Sequence, residues 1–281
     1  MSEAASTTEP APFSWKAFLT KKHYVPRFIV KTFWITLGTI IVFSILIVLV
    51  AYQFGPQLVL RYTIHEDALA YKSTGILPQS QLVPTSQTDV SVSPSGAPFS
   101  IYGIEFNLPC NEYTFPNRWD RNVFRCKSGL VGLISKNPLP PFSKAISASQ
   151  DKNSQQLKAT LGPELLSSEY ALMNTALNTK LVDVSLLSGR DSALRMLSLE
   201  GCKNIYLLLA NSAHPINTAE FRGFEFATVP PAQFSSKYYQ IRLELFDQQN
   251  HQYEIELGPS EAPISQADVN EIVHSLHKSD N

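Results

Sequence analysis

Apolar residues are spaced along this chain in three different ways. Residues 33–52 (FWITLGTIIVFSILIVLVAY) form a run of twenty without a charge, bounded by Lys31 and Arg61. A helix rising about 1.5 Å per residue crosses the roughly 30 Å hydrocarbon core of a bilayer with about 20 residues, and a single segment there must satisfy its own backbone. The run predicts a transmembrane helix within 31–55.

Elsewhere strict alternation marks strands. Ile241, Leu243 and Leu245 alternate with Arg242 and Glu244, and Tyr253, Ile255 and Leu257 alternate with Glu254 and Glu256. Placing both apolar rows on one face predicts a hairpin pairing Leu245 with Tyr253, Leu243 with Ile255 and Ile241 with Leu257. Its loop is Gln248-Gln249-Asn250, with Asn250 left-handed. Residues 101–108 read as a strand stopped at Pro109, and 221–229 as one stopped at Pro230. Residues 123–135 read as a strand or a bent pair around Ser128-Gly129, and 205–210 (IYLLLA) as a short buried strand.

Helical spacing is the third pattern. Leu161, Leu165, Leu166, Leu172, Met173, Ala176 and Leu177 predict a helix over 161–177. Ser188 or Asp191 as N-cap and Gly201 as C-cap delimit another over 193–200. Ser265, with Asp268 three residues on, opens a last helix whose buried stripe is Val269, Ile272, Val273 and Leu276. The fold class is therefore α+β: one transmembrane helix plus an extracytoplasmic domain with an antiparallel sheet flanked by helices.

Composition divides the chain further. Residues 1–30 read as a cytoplasmic tail, 31–55 as the membrane helix, 56–98 as a stalk and Pro/Ser-rich linker, and 99–281 as the folded domain. Within 73–98, Pro78, Pro84, Pro94 and Pro98 stand among Ser, Thr and Gln, with Asp89 the sole charge, a composition that suits an extended tether. Lys16, Lys21, Lys22, Arg27 and Lys31 precede the apolar run, against Arg61 and Lys72 after it. That asymmetry places the N-terminus in the cytoplasm and the C-terminal domain in a periplasmic or extracellular space. The long leader and the lack of a small-residue cleavage site favour an uncleaved signal-anchor over a signal peptide. A net charge of -1 argues against nucleic acid as a partner.

Candidate chemistry is sparse. An oxidising compartment would permit a disulfide, and Cys110 and Cys126 are the natural pair, with Cys202 left over as a buried small hydrophobe. His274 and His277 stand three apart near the chain's end without a carboxylate or cysteine at ligand spacing, so no metal set is assigned. There is no nucleophile elbow, phosphate loop or dinucleotide fingerprint, and hence no catalytic residue and no cofactor. Glu220, Glu225, Glu244 and Glu254 fall on strands or edges, where alternate residues are normally solvated.

Gly103, Phe106 and Pro109 at the first strand, with Ser265, Ile272 and Leu276 closing the last helix, resemble the α/β/α sandwich of the photosystem II extrinsic P-protein family and the Ran-binding proteins that share its fold. The likeness would cover residues 101–276. It departs from the family in its tryptophan, since Trp119 stands ten residues beyond the proline, and in a larger central helical insert. The resemblance implies a binding or assembly module and transfers no site residue. The expectation is a bilayer-anchored module, without catalytic activity, that meets an envelope protein partner; the alternative is an envelope-acting hydrolase or transferase.

Overall fold

The structure is a computed structural model that describes residues 27–75, 77–86, 96–115, 122–137, 141–182, 189–207, 210–228, 240–258 and 264–279, the side chains of 27–30, 228 and 240 excepted. It divides into two units, Met1–Gln53 and Phe54–Asn281. The expected tail, including Lys16, Lys21 and Lys22, lies outside the described residues, as do Trp119, Ser188 and Pro230.

Helix α1 (Arg27–Thr74) is continuous over 48 residues and runs through Pro56. Among the described residues it is the one helix long and apolar enough to cross a membrane, with a mean hydropathy of 2.7 over its most apolar window and none of that window buried. The Thr39 hydroxyl donates to the Ile35 carbonyl at 2.9 Å, so this polar group is satisfied within the helix.

In the second unit, the C-terminal part of α1 packs into the fold. Leu60 is fully buried with Leu181 and Ala193, flanked by Ile64, Met196 and Leu197. The stretch expected as a free tether is bound over its first part. A 3₁₀ turn at Gln79–Gln81 leads to Leu82, which joins an apolar cluster. Gln79 and Gln81 donate to the carbonyls of Leu207 and Leu181, and the Thr85 amide donates to Ala213.

The main sheet has seven antiparallel strands: β3 (Tyr113–Thr114), β4 (Val123–Cys126), β5 (Val131–Lys136), β6 (Ser212–Asn217), β7 (Phe221–Thr228), β8 (Gln240–Asp247) and β9 (Gln252–Leu257). Their spatial order is β3-β4-β5-β9-β8-β7-β6. The β8–β9 register matches the alternation pair for pair, and Asn250 takes φ 61° in the loop. A second sheet is made of β1 (Pro98–Ile101), β2 (Ile104–Asn107) and β10 (His277–Lys278). The single strand expected over 101–108 is instead a hairpin, because Tyr102 and Gly103 both adopt positive φ (56° and 80°) and turn the chain.

Alternation sends the side chains of the main sheet into two apolar clusters. Ile241, Leu243, Leu245, Ile255 and Phe221 pack with Phe106 and Ile104 of the small sheet and with Val269 and Ile272 of α7 (Gln266–Ser275). Phe224, Phe226 and Phe246 pack with Leu172, Met173, Leu177 and Tyr206 of the central helices. Those helices are α2 (Phe142–Ala148), α3 (Lys152–Leu161), α4 (Pro163–Leu166), α5 (Glu169–Asn178) and α6 (Arg190–Tyr206). The helix expected over 161–177 is broken, since Gly162 takes φ 83° and Ser168 leaves helical geometry to cap α5. Gly201 caps nothing. Helix α6 runs on to Tyr206, which is buried in the helical cluster together with Cys202, and so Ile205 and Tyr206 are helical where a strand was expected. Strand β6 escaped prediction because Pro215 sits inside it, which an edge strand tolerates. The capping box of Ser265 and Asp268 on α7 is formed in both directions. The helix ends at Ser275, which puts His277 in a strand and not on the helical face of His274.

Candidate functional site

Where the edge strand β6 meets α7, a cleft of about 160 Å³ is lined by His214, Glu225, Asn270 and His274, together with Ser86 and Thr218. Its floor follows from strand alternation. Phe224 and Phe226 point to the helical cluster, so Glu225 between them points under α7, where only 4% of it is exposed. His214 is its direct cross-strand neighbour on β6, and its Nδ1 lies 2.8 Å from the Thr85 carbonyl. Gln266, Asn270 and His274 follow at intervals of four, so α7 presents one polar line toward the cleft. The Gln266 amide donates to Glu225 Oε2 at 3.2 Å and to Asn270 Oδ1 at 3.0 Å. A carboxylate, an amide and two imidazoles thus converge on a volume that holds only a few heavy atoms. Such a set can accept hydrogen bonds from an amine or hydroxyl, and an imidazole beside a carboxylate can pass a proton.

The helical face of the sheet holds a second polar cluster, largely withdrawn from water at Glu169, Tyr206 and Glu244. The Tyr206 hydroxyl donates to Glu169 Oε1 at 2.8 Å, and Glu169 Oε2 accepts from the Ser143 amide at 2.7 Å. Glu244 and Glu254 stand directly opposite each other on β8 and β9. Arg242 Nε lies 3.2 Å from Glu244 Oε1, close enough for an ion pair but without hydrogen-bond alignment. The same guanidinium donates to the Tyr206 carbonyl at 2.8 Å and lies 4.8 Å from the centre of the Phe226 ring. Burial raises the Glu244 carboxyl well above its ordinary range, against the pull of Arg242. Burial, with Glu244 and Glu256 nearby, pushes Glu254 up to about 7. Desolvation likewise raises the Tyr206 hydroxyl, helped by Glu169, and lifts the Cys202 thiol to about 11.

Wider depressions flank the sheet. One of about 690 Å³ runs along β3 and β4 beside Tyr113, Thr114, Arg125 and Cys126. Its ion pair, Lys127 with Glu112 at 3.1 Å, is 81% and 72% exposed, so it is open to water and weak. Cys110 and Cys126 are joined by a disulfide at this end of the sheet, with their Cα atoms 6.0 Å apart. Cys202 is a buried free thiol on α6. Arg27 and Lys31 lie in the first turns of α1. His274 and His277 are separated: His274 lines the cleft, while His277 Nε2 lies 3.3 Å from Glu105 Oε2. No group of three metal-binding side chains occurs among the described residues.

Sequence reasoning missed Glu225 and Glu244 by treating both as solvated; their exposures are 4% and 6%. A signal was present for Glu225. Strand β7 is apolar on both of its faces, with Phe224 and Phe226 on one and Phe221 and Ala227 on the other, which marks a strand covered on both sides. No protein-family profile, curated protein or solved structure matches this chain.

Proposed function

We propose that this chain is a single-pass membrane protein that works as a binding or assembly module. Its N-terminus lies in the cytoplasm and its α+β domain is displayed in a periplasmic or extracellular space. The observation that carries the reading is α1 itself, whose apolar window combines a mean hydropathy of 2.7 with no burial at all. A water-exposed surface of that kind has no place in a soluble fold, whereas lipid satisfies it. Orientation rests on the basic residues Lys16, Lys21, Lys22, Arg27 and Lys31 on one side. The Cys110–Cys126 disulfide suits an oxidising exterior. The two clusters on opposite faces of the main sheet support the α/β/α sandwich that resembles the photosystem II extrinsic P-protein family, a fold used for binding and assembly. The partner is the bilayer and, through the domain, an envelope protein.

Alkaline carbonate extraction and protease protection test this reading together. The chain is expected in the carbonate-resistant pellet, with the C-terminal domain cleaved by protease added outside the inner membrane. Full protection of that domain in intact spheroplasts would reverse the orientation.

The cleft of His214, Glu225 and His274 favours a second reading, an envelope-acting hydrolase or transferase. That reading requires Glu225→Gln to abolish turnover of an envelope-derived substrate while the domain stays folded. Turnover unchanged by E225Q would remove the cleft from consideration.

A further inference from the structure

Beyond its docked face, α1 has an uncovered one. Gln57 and Leu60 face the domain and are fully buried, whereas Leu58 is 53% exposed, Val59 53%, Tyr62 65% and Leu69 48%. The exposed residues are not scattered. Leu58, Tyr62, His65 and Leu69, with half-buried Gly55 ahead of them, recur at alternating intervals of three and four, the a and d positions of a heptad repeat. Carried back in sequence, the same period falls on Ile41, Ser44, Val48 and Ala51, so the repeat holds from the apolar run into the aqueous part of the helix. Small residues at Ser44, Ala51 and Gly55 allow two backbones to approach closely, and a Cβ at Gly55 would meet nothing within 4 Å.

We propose that α1 pairs with α1 of a second copy of this chain, as a parallel two-stranded coiled coil along this stripe. The proposal deepens the reading of the chain as a membrane-anchored assembly module, and its parallel sense rests on that reading. Two helices inserted with the same orientation must run side by side in one direction, and anchoring raises their effective concentration.

Charge identifies a second copy as the occupant. In this register Arg61 takes a g position and Glu66, five residues on, the following e position. In a parallel pair g of one helix faces the next e of the other, so Arg61 meets Glu66 of the second copy, and symmetry supplies the contact twice. An antiparallel pair sets g against g and e against e, so Arg61 would not face Glu66. His65 at a d position adds a polar site that fixes register. From Gly55 to Leu69 the repeat spans two heptads, about 21 Å of helix at 1.5 Å per residue, and Lys72 at the next d position ends it; the docked face of Leu60 is left undisturbed.

Disulfide trapping in native membranes tests the proposal on the full chain. Single cysteines are placed on the stripe (Leu58→Cys, Tyr62→Cys, Leu69→Cys) and off it at two exposed sites (Ala70→Cys, Tyr71→Cys), then mildly oxidised. Dimer yields on the stripe should exceed those off it by about tenfold, as expected for facing positions of a coiled coil. Arg61→Glu or Glu66→Arg alone should lower the Tyr62→Cys yield, and the double exchange should restore it. Equal yields on and off the stripe, monomer throughout, or cross-links to a protein of different mass would each overturn pairing with a second copy. Carbonate extraction of the same membranes separates the two readings. Release of the chain defeats the anchor, whereas a membrane-bound chain without stripe-specific dimers defeats the pairing alone.

Discussion

Replacing Glu254 by glutamine should stabilise the domain at pH 8 and change little at pH 4.5. Glu254 faces Glu244 across β8 and β9, and burial together with its two acidic neighbours holds it near pH 7, up from an ordinary value of 4.5. A carboxyl whose folded pKa lies above its unfolded one binds its proton more tightly in the folded state. Its contribution is therefore fully present below about 4.5, declines as pH rises, and is lost above about 7. At 1.36 kcal/mol per pH unit the full difference is about 3 kcal/mol. Glu254 is partly open to solvent, and screening reduces this to roughly 1–2 kcal/mol.

The assay is chemical unfolding of the detergent-solubilised chain from pH 4 to 8.5, with the mutant and wild-type midpoints compared at each pH. The difference cancels other titrations. Among these are His277, whose bond to the Ser275 carbonyl raises its pKa, and Asp247, held near 2 because hydrogen bonds from His251 and Lys278 outweigh its burial. The mutant's advantage should open between pH 4.5 and 7 and then stay level. A pH-independent difference, or a mutant less stable than wild type at pH 8, would refute the placement of Glu254 against Glu244.

Other perturbations read other parts of the fold. Leu60→Ala empties a fully buried site against Leu181 and Ala193 and should lower stability by about 2–5 kcal/mol, while exposing the 77–86 segment to limited proteolysis. Reducing Cys110–Cys126, which closes a loop of sequence separation 16, should cost about 3 kcal/mol by the chain-entropy relation and lower the midpoint in thiol-containing buffer. Gly201→Ala should stabilise α6 by about 0.5–1 kcal/mol, since its Cβ meets nothing within 4 Å. Gly223→Ala should have the opposite effect and destabilise or unfold the domain, because the new Cβ would lie 1.9 Å from the Glu244 carbonyl oxygen. Thermal melts of the two glycine variants side by side check both signs.

The elements legible in sequence are those whose local signals agree with their packing. The β8–β9 register was readable because Ile241, Leu243 and Leu245 must share a face with Tyr253, Ile255 and Leu257, and a one-residue slip of β9 would set Glu254 and Glu256 on the face of Leu243 and Leu245. The α7 cap was readable because Ser265 and Asp268 are each other's hydrogen-bond partners. Elements decided by tertiary contacts were not. Tyr102 takes a positive φ that its type does not advertise, so the first hairpin looked like one strand. Gly201 looked like a helix stop, yet α6 continues past it because Cys202 and Tyr206 are held in the helical cluster. The cleft was invisible for the same reason: only pairing β6 with β7 sets His214 against Glu225, and only docking α7 brings Asn270 and His274 over them.

The proline-rich stretch bears most on how this domain is held. A chain of Ser, Thr, Gln and Pro that made no contacts would behave as a leash, with effective concentration set by its length. In its first part a few specific contacts override that composition. Leu82 is buried among helices, and Ser80 donates to Asp67 of α1. The Lys203 ammonium, fully buried, donates to the carbonyls of Ser80 and Thr179 at 3.1 Å and 2.6 Å. Desolvation draws that ammonium down to about 8, and two carbonyl acceptors offset part of its burial. With Leu60 fixed on one side and Ser80 on the other, the described residues of 54–82 belong to the domain's own packing. Motion of α1 around Leu60 must therefore move α6 with it, and two α1 helices brought together along the exposed stripe would set the spacing of two domains through that packing.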